Sequence, residues 1–425
     1  RQDCMKQLLE LLHQSQSSCS YVVGISGPAG IGKSLLIEEL LPQCPDSMKV
    51  IKTECRPAYA NSPYYLISNM LMNIMNINPG ESLIVKQSRI ISYISFIMSK
   101  YDEEAVRRSY QFISFLMGIE LDKETRDIIT SMDTKSIYQE VTNQLLLLFH
   151  EFEYRVHAVI IVEDMHWADA KSIALLKEIW GNAAERSGHN IYLYTSRSNI
   201  EAFSDLNREH HRYIILSALS SEDVAEYVKL YMGCSAVDKA FTDYVNSFSG
   251  GNPLYMYELL KYIKKVPLYH IAQNTAYLGK DMAKIPDSLS SLILSKLNYL
   301  SQAATELAQA ASVIGKDFPL TIVNKLLGKD TEREHVLKEA VDSNIIYSKA
   351  TYTNNGRMER QYSFAHETER ETIYNSMLNK KKSYYHRETA KAIEVLYARN
   401  IEGYFEVLGE HFEKGEEFIK ASEYY

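Results

Sequence analysis

A glycine-rich loop between a predicted strand and a predicted helix constrains this chain more than any other feature. Residues 27–34 read Gly-Pro-Ala-Gly-Ile-Gly-Lys-Ser and match the pattern GxxxxGK[ST]. They follow a β-branched run at 21–26 and lead into a helical pattern at about 33–42. Glycines allow successive backbone N–H groups to turn toward phosphate oxygens, and the N terminus of the next helix adds positive potential. The sequence therefore predicts a strand, a phosphate-binding loop and a helix.

Two side chains of this loop are predicted to act on the ligand directly. Lys33 is expected to be exposed and to reach the β- and γ-phosphates. Ser34 offers a hydroxyl oxygen to Mg²⁺, a hard cation that keeps most of its waters. ATP or ADP with Mg²⁺ is thus the predicted ligand set, and the alternative is a glycine-rich turn without a ligand. The positions expected to bind the nucleotide are Gly27, Pro28, Ala29, Gly30, Ile31, Gly32, Lys33, Ser34 and Leu35.

A pair of adjacent acids follows a second apolar run. The run HAVIIV at 157–162 leads directly into Glu163 and Asp164. Ligands of open α/β sheets bind at the carboxyl ends of the strands, where these acids are expected to lie. We expect one carboxylate to hold the Mg²⁺ shell and the other to orient or deprotonate the attacking water. Spacing does not decide which acid does which, and the alternative is a solvated acidic turn.

Strand and helix patterns alternate through the first half of the chain. Besides the two runs already named, strand signals lie at 49–53, 190–195 and 212–216. This alternation predicts a parallel, doubly wound sheet and therefore an α/β fold. The Met- and Ile-rich, glycine-poor region from about 63 to 155 predicts a helical insertion.

Beyond about residue 220 the strand signal nearly vanishes. Helical patterns cover 221–232, 236–248 and 253–265, and a poorly periodic stretch follows at 266–285. This part of the chain is predicted to form a helical lid and a linker.

Several short helical patterns and a hairpin signal follow the linker. Two strand-like pieces within 345–364 flank Asn354-Asn355-Gly356, a favourable hairpin turn. Helices followed by such a hairpin predict a winged helix, and the helical pattern from about 366 onward suits paired helices of a repeat. The predicted domains are a P-loop ATPase domain at 1–217, a helical lid and linker at 218–285, a winged-helix-like domain at 286–399 and the start of TPR-like repeats at 400–425.

Composition disfavours several classes of protein. A net charge of −8 gives no general electrostatic reason for tight binding to nucleic acid, which is therefore disfavoured as a partner. The five cysteines show no CxxC or Cys/His metal spacing, which indicates reduced thiols and a cytoplasmic location. No run reaches the roughly 18 uninterrupted apolar residues of a membrane helix. The Arg at position 1, without a signal-peptide pattern, suggests a fragment of a longer protein.

The acidic segment also carries a family resemblance. VEDMHWADAKSIALL at 162–176 resembles the second nucleotide motif of STAND ATPases, in the branch related to origin-recognition ATPases. TSR at 195–197 is similar to the strand end that carries the sensor arginine of that family, and SGGNPL at 249–254 is similar to its GNPL motif. The segments at 285–319 and 363–374 resemble the winged-helix part that folds back over the nucleotide. The resemblance covers nearly the whole chain.

This resemblance implies roles for three further residues. Arg197 would stabilise a γ-phosphate with its guanidinium fork, and the alternative is an exposed loop arginine. Pro253 would pack against adenine, although locally it is typical of an ordinary helix start. His366 would contact the β-phosphate of ADP and lock a closed state, and the alternative is a core histidine. Trp167 and Asp169 are expected to pack and cap the next helix instead of binding substrate.

Together these motifs predict an ATP-binding, slowly hydrolysing signalling switch within a larger protein. The resemblance implies effector and sensor domains of the same longer chain as partners. Soluble adenylyl cyclases contain the part that looks most similar, so a cyclase outside these residues is one effector that it implies. Self-association is left open. The alternatives are a DNA-associated ATPase or transcription regulator that uses the winged helix, and a catalytically weak scaffold, against which the intact Gly32, Lys33 and Ser34 argue.

Overall fold

The chain divides into two units, one formed by Arg1–Pro28 with Lys33–Leu216 and the other by Ala29–Gly32 with Ser217–Tyr425. The computed structural model describes residues 1–15, 19–60, 62–78, 81–184, 189–206, 209–266, 268–279, 285–328, 333–349, 352–354, 357–398, 401 and 404–425.

A parallel sheet organises the first unit. Its described strands are β1 (Tyr21–Ser26), β2 (Lys49–Glu54), β3 (Ala158–Glu163), β4 (Ile191–Ser196) and β5 (His211–Ile215). They pair in the order β2-β3-β4-β1-β5. The three central strands are buried at every position, as expected for continuous apolar runs in a parallel sheet. The edge strands β2 and β5 keep exposed positions. The predicted α/β fold is confirmed.

Helices fill the rest of the first unit, including the predicted insertion. Aspartates cap three of the insertion helices: Asp102, Asp122 and Asp133 each accept a hydrogen bond from a backbone N–H of the first turn, which satisfies a donor that the helix leaves open. The described helices are α1 (Gln2–Ser15), α2 (Lys33–Leu40), α3 (Tyr65–Ile74), α4 (Leu83–Ile97), α5 (Glu103–Leu116), α6 (Lys123–Ser131), α7 (Thr134–Arg155) and α8 (Ala170–Ala184).

The parallel direction of the strands decides where the candidate site lies. Because all five strands run the same way, the carboxyl ends of β1, β3 and β4 meet at one edge of the sheet. Gly27 follows β1, Glu163 ends β3 with Asp164 next to it, and Arg197 follows β4. The fold of the first unit therefore brings these sequence motifs to the same edge.

The second unit is mostly helical. In its first part, Ser220 and Asp223 form a capping box at the start of a helix, and Gly233 ends that helix in the left-handed conformation, as the sequence pattern favours. The described helices are α9 (Ser221–Met232), α10 (Lys239–Ser249), α11 (Pro253–Lys265), α12 (Leu289–Leu297), α13 (Gln302–Ile314), α14 (Leu320–Leu327), α15 (Arg333–Asp342), α16 (Glu367–Ser376), α17 (Asn379–Leu396), α18 (Phe405–Lys414) and α19 (Phe418–Tyr424).

Short strands of the second unit correct two expectations. The stretch 266–285, predicted to be a linker, contains an antiparallel hairpin, β7 (Tyr269–Ala272) with β8 (Thr275–Leu278). The start of the predicted helix at 236–248 is instead a strand, β6 (Ala236–Val237), which pairs with β8. Backbone pairing to this hairpin outweighs the helical pattern there, and the helix begins only at Lys239, after the cap Asp238.

The predicted hairpin near residue 354 lies within a group of five described short strands, of which the first lies between α13 and α14 and the other four follow α15. These strands are β9 (Asp317–Pro319), β10 (Ile346–Ser348), β11 (Tyr352–Asn354), β12 (Arg357–Glu359) and β13 (Gln361–Phe364). β11 pairs with β12, whereas β10, β13 and β9 form a separate antiparallel sheet. The predicted turn residues Asn355 and Gly356 lie outside the described residues. The winged-helix-like domain at 286–399 stays a prediction.

In the ranges that the structure describes, we find no helix with both the length and the apolar content needed to cross a lipid bilayer.

Candidate functional site

The phosphate loop, residues 27–34, runs from the end of β1 into the start of α2. Gly30 and Gly32 have φ angles of +75° and +105°, which side chains other than glycine rarely adopt. A Cβ on Gly30 would also lie 2.7 Å from the Cβ of Leu254. The loop therefore depends on glycine at both positions, for backbone conformation at Gly32 and for conformation and space at Gly30.

The other loop positions differ in exposure, and this decides which side chains are accessible to a ligand. Ala29 is half-buried, whereas Ser34 is exposed in the first turn of α2, where its hydroxyl is open to a ligand. The exposed positions are Pro28, Ser34 and Leu35, and the buried ones are Gly27 and Ile31.

The Lys33 side chain is buried, at 8% exposure, and the expectation that it is exposed is wrong. Its Nζ donates hydrogen bonds to the carbonyl oxygens of Gly27, at 2.7 Å, and Pro28, at 3.0 Å. The loop carbonyls therefore hold the ammonium group in place. Burial lowers the pKa of Lys33, the Asp164 carboxylate opposes this shift, and the Arg197 guanidinium adds to it. Lys33, Asp164 and Arg197 thus lie within electrostatic reach of one another.

The two acids at the end of β3 have different surroundings. Glu163 is buried, and its Oε1 lies 3.0 Å from Nζ of Lys52 on β2. Asp164 is half-buried and takes a left-handed conformation with φ of +53°, and its backbone N–H donates to Oγ1 of Thr195, at 2.9 Å. The carboxylate of Glu163 is therefore held by an ion pair, whereas the backbone of Asp164 is held by the neighbouring strand β4.

Arg197 follows β4, and its side chain is exposed. Its Cζ lies 5.8 Å from the centre of the Trp167 ring, within the range of a cation–π contact. Asp169 directly precedes α8, and its Oδ1 accepts hydrogen bonds from the backbone N–H of Ser172, at 2.8 Å, and from the backbone N–H of Tyr64, at 2.9 Å. The prediction that Asp169 caps this helix is confirmed, while Trp167 packs under the sensor candidate.

The N-cap and first turn of α11 contact Ala29 and Gly30, the part of the phosphate loop that belongs to the same unit. Nδ2 of Asn252 donates a hydrogen bond to the carbonyl oxygen of Ala29, at 2.9 Å. The backbone N–H of Leu254 donates to the carbonyl oxygen of Gly30, at 3.3 Å. Pro253 occupies the first helical position, as expected from its local pattern. Whether it also packs against adenine stays a prediction.

His366 directly precedes α16 and is half-buried. Burial lowers its pKa, and the carboxylate of Glu258 opposes this, while the ammonium groups of Lys296, Lys316 and Lys261 add to it. Its role toward the β-phosphate stays a prediction.

Two contributors to the site were missed in the sequence, Lys52 and Asn252. Lys52 lies on an edge strand with no motif around it. Asn252 belongs to the GNPL segment, where the residue before Pro is a typical helix cap, so its role as a cap was predictable from the sequence. Its contact with Ala29 was not predictable.

The first unit is similar to a known family of domains. Residues 1–191 match the family model of the AAA ATPase domain. This part of the chain, which includes the phosphate loop, is therefore similar to AAA ATPase domains. An uncharacterised protein of Rhizobium meliloti (strain 1021), R02095, is 24% identical over 388 residues, which cover 88% of this chain and 34% of the relative. The chain thus spans about a third of the length of that relative.

The Cdc6p structure from Pyrobaculum aerophilum is similar with a TM-score of 0.37 and 8% identity, over 92% of this chain and 94% of that one. A structure of Drosophila ORC bound to DNA gives a TM-score of 0.38 and 10% identity, over 88% of this chain and 86% of that one.

Proposed function

We propose that this chain is the nucleotide switch of a larger signalling protein, which binds ATP with Mg²⁺, hydrolyses it slowly and regulates an attached effector domain. The observation that carries the proposal is that the glycine-dependent loop with Lys33, the acid Asp164 and the cation Arg197 follow β1, β3 and β4, whose carboxyl ends meet at one edge of a parallel sheet. Two cations and one acid at the carboxyl edge of a parallel sheet suit a polyphosphate with a bound metal ion.

The donor set of the site fits Mg²⁺. Ser34 offers an exposed hydroxyl and Asp164 a half-buried carboxylate, and Mg²⁺ prefers hard oxygen ligands and takes few of them from protein. We assign the metal to Ser34 and Asp164, since Asp164 is the acid whose charge acts on Lys33. When bound, Mg²⁺ neutralises part of the charge on the phosphates.

The remaining side chains divide the other tasks. Backbone N–H groups of the loop and the Lys33 ammonium bind the β- and γ-phosphates. Glu163 orients the attacking water and accepts its proton, and Arg197 stabilises charge on the γ-phosphate. Because Glu163 is paired with Lys52, its carboxylate is not free to accept the proton of the attacking water until this ion pair opens. The pair slows turnover further, which suits a switch that needs a long-lived bound state.

The proposed regulation of an effector domain rests on the resemblance to STAND ATPases. Effector and sensor domains of the same longer protein are its proposed partners, with an adenylyl or guanylyl cyclase as the favoured effector and the cytoplasm as its location. Pro253 contacts adenine and His366 the β-phosphate of ADP in this proposal. Binding to duplex DNA, for which the acidic composition offers no support, would instead favour a DNA-associated ATPase.

A double variant tests the division of labour. Glu163→Gln with Asp164→Asn keeps the shape of both side chains but cannot accept a proton or hold the metal ion firmly. We expect the variant to bind a fluorescent ATP analogue and to release no phosphate above background. The single variants assign the roles, because only Asp164→Asn should change the Mg²⁺ dependence of binding. Wild-type turnover in the double variant would move catalysis to other residues.

A further inference from the structure

The helix that touches the phosphate loop also carries a buried charge. Glu258 lies one helical turn beyond Leu254 on α11, and its side chain is 3% exposed. Its Oε2 lies 2.7 Å from Nζ of Lys296 on α12. The first turn of α11 holds the loop carbonyls of Ala29 and Gly30, so loop contact and ion pair sit about one turn apart on one helix.

The same ammonium group binds a second carboxylate. Nζ of Lys296 lies 2.5 Å from Oε1 of Glu369 on α16, whose side chain is 2% exposed. The other oxygen, Oε2 of Glu369, is buried and has no hydrogen-bond partner among the described residues. One lysine, itself 14% exposed, thus joins α11, α12 and α16 through two buried carboxylates.

This triad depends on its lysine. Burial raises the pKa of Glu369 to about 6, Lys296 opposes that shift, and Glu258 adds to it. Two buried carboxylates without a countercharge repel each other, and removal of one partner from a buried ion pair is strongly destabilising. The three helices can hold this arrangement only while the ammonium lies between the two acids. Lys261 and His366 are further charged or titratable groups near the cluster.

We propose that Lys296 is a positioning residue for the phosphate loop: by bridging Glu258 and Glu369 it fixes α11, whose first turn holds Ala29 and Gly30. The packing of α12 and α16 is thereby coupled to nucleotide affinity. This inference rests on the proposed nucleotide binding. It deepens that proposal, because it names the path by which the later helices act on the loop.

The test compares ADP and ATP affinity by calorimetry in the full chain. Lys296→Met keeps most of the side-chain volume and removes the charge, and we expect about tenfold weaker binding. The matched control is Lys349→Met, which breaks an ion pair of the same unit, with Asp317 at 2.7 Å, away from α11. The control should bind like the wild type.

A double-mutant cycle makes the coupling specific. Asn252→Ala removes the contact with Ala29, and we expect it to weaken binding by a similar factor. If Lys296 acts through α11, the variant with both Lys296→Met and Asn252→Ala binds the nucleotide no more weakly than whichever single variant has the lower affinity. Multiplied losses would overturn the proposal, as would a folded Lys296→Met variant with wild-type affinity.

Folding is followed by circular dichroism and thermal unfolding. Should Lys296→Met not fold, Glu369→Gln replaces it in the cycle, because it leaves the Lys296–Glu258 pair intact. We expect a loss of about threefold there, and wild-type affinity in that folded variant would again overturn the proposal. A wild-type chain that binds no nucleotide is a different outcome, which refutes the proposed function itself.

Discussion

Replacing Lys52 with methionine should speed ATP hydrolysis. The ammonium of Lys52 lies 3.0 Å from Oε1 of Glu163, the carboxylate that we propose as the base for the attacking water. A carboxylate that is paired with an ammonium is not free to turn toward water. Methionine keeps the length of the side chain on β2 and releases Glu163.

The size of the effect follows from the exposure of the pair. The Lys52 side chain is 41% exposed and that of Glu163 is 10% exposed, so the pair is partly solvated. Ion pairs of this kind contribute about 0–1 kcal/mol. If the pair must open before each turnover, its removal raises kcat by up to about fivefold, since 1.36 kcal/mol corresponds to a factor of ten. The KM for ATP should stay the same, because Lys52 is not proposed to touch the nucleotide.

The assay is steady-state phosphate release at saturating ATP. Lys177→Met is the matched control, because Lys177 is 40% exposed and pairs with Asp205 at 2.7 Å in the same unit. This control should leave kcat unchanged. Adding Glu163→Gln to Lys52→Met should abolish the gain. A Lys52→Met variant that is as slow as the wild type, or slower, would refute the reasoning and show that Lys52 holds Glu163 in its working position.

Three further outcomes are expected. Gly30→Ala should weaken nucleotide binding at least tenfold by calorimetry, because the added Cβ is strained and would lie 2.7 Å from a Leu254 carbon. His366→Ala should weaken ADP binding by about 1.5–3 kcal/mol, the value of a charge-assisted hydrogen bond, and unchanged affinity would make it a structural histidine. Burial lowers the pKa of His386 to about 2 and of His411 to about 3, whereas unfolded histidine titrates near 6.5. The two neutral histidines therefore favour the folded state above about pH 6.5, and this contribution to the free energy of unfolding is lost as the pH falls below that value. Urea unfolding should show a free energy of unfolding that is about 2–3 kcal/mol lower at pH 5.5 than at pH 7.5. The difference between the two pH values should be smaller in a His386→Gln/His411→Gln variant.

The sheet of the first unit was predictable because its central strands are continuous apolar runs. The run at 158–163 is buried at every position, and no helix pattern competes with it. The order of the strands was not predictable, since pairing of β1 with β4 and β5 joins segments far apart in sequence. The hairpin at 269–278 was missed because its first strand is largely exposed and shows no alternation, and because its turn is Gln273-Asn274 rather than a glycine pair.

The placement of Lys33 and Asp164 at the same edge of the sheet was predictable, because a motif fixes both residue type and spacing there; their roles stay predictions. Contacts between distant side chains leave no such pattern. Asn252 and Ala29 are 223 residues apart, and a charged residue on an edge strand, such as Lys52, is usually solvated. The burial of Lys33 was also not predictable from the sequence, because it depends on the hydrogen bonds that its ammonium group donates to the loop carbonyls.

Binding of ATP by the phosphate loop is the central claim, and Lys33 tests it most directly. Lys33→Ala removes the ammonium, and Lys33→Met removes the charge while keeping the volume of this buried side chain. The measurement is equilibrium binding of a fluorescent ATP analogue, with circular dichroism to establish that each variant is folded. We expect both variants to fold and to lose binding by at least a hundredfold. A folded variant with wild-type affinity would contradict the claim that this loop binds the nucleotide.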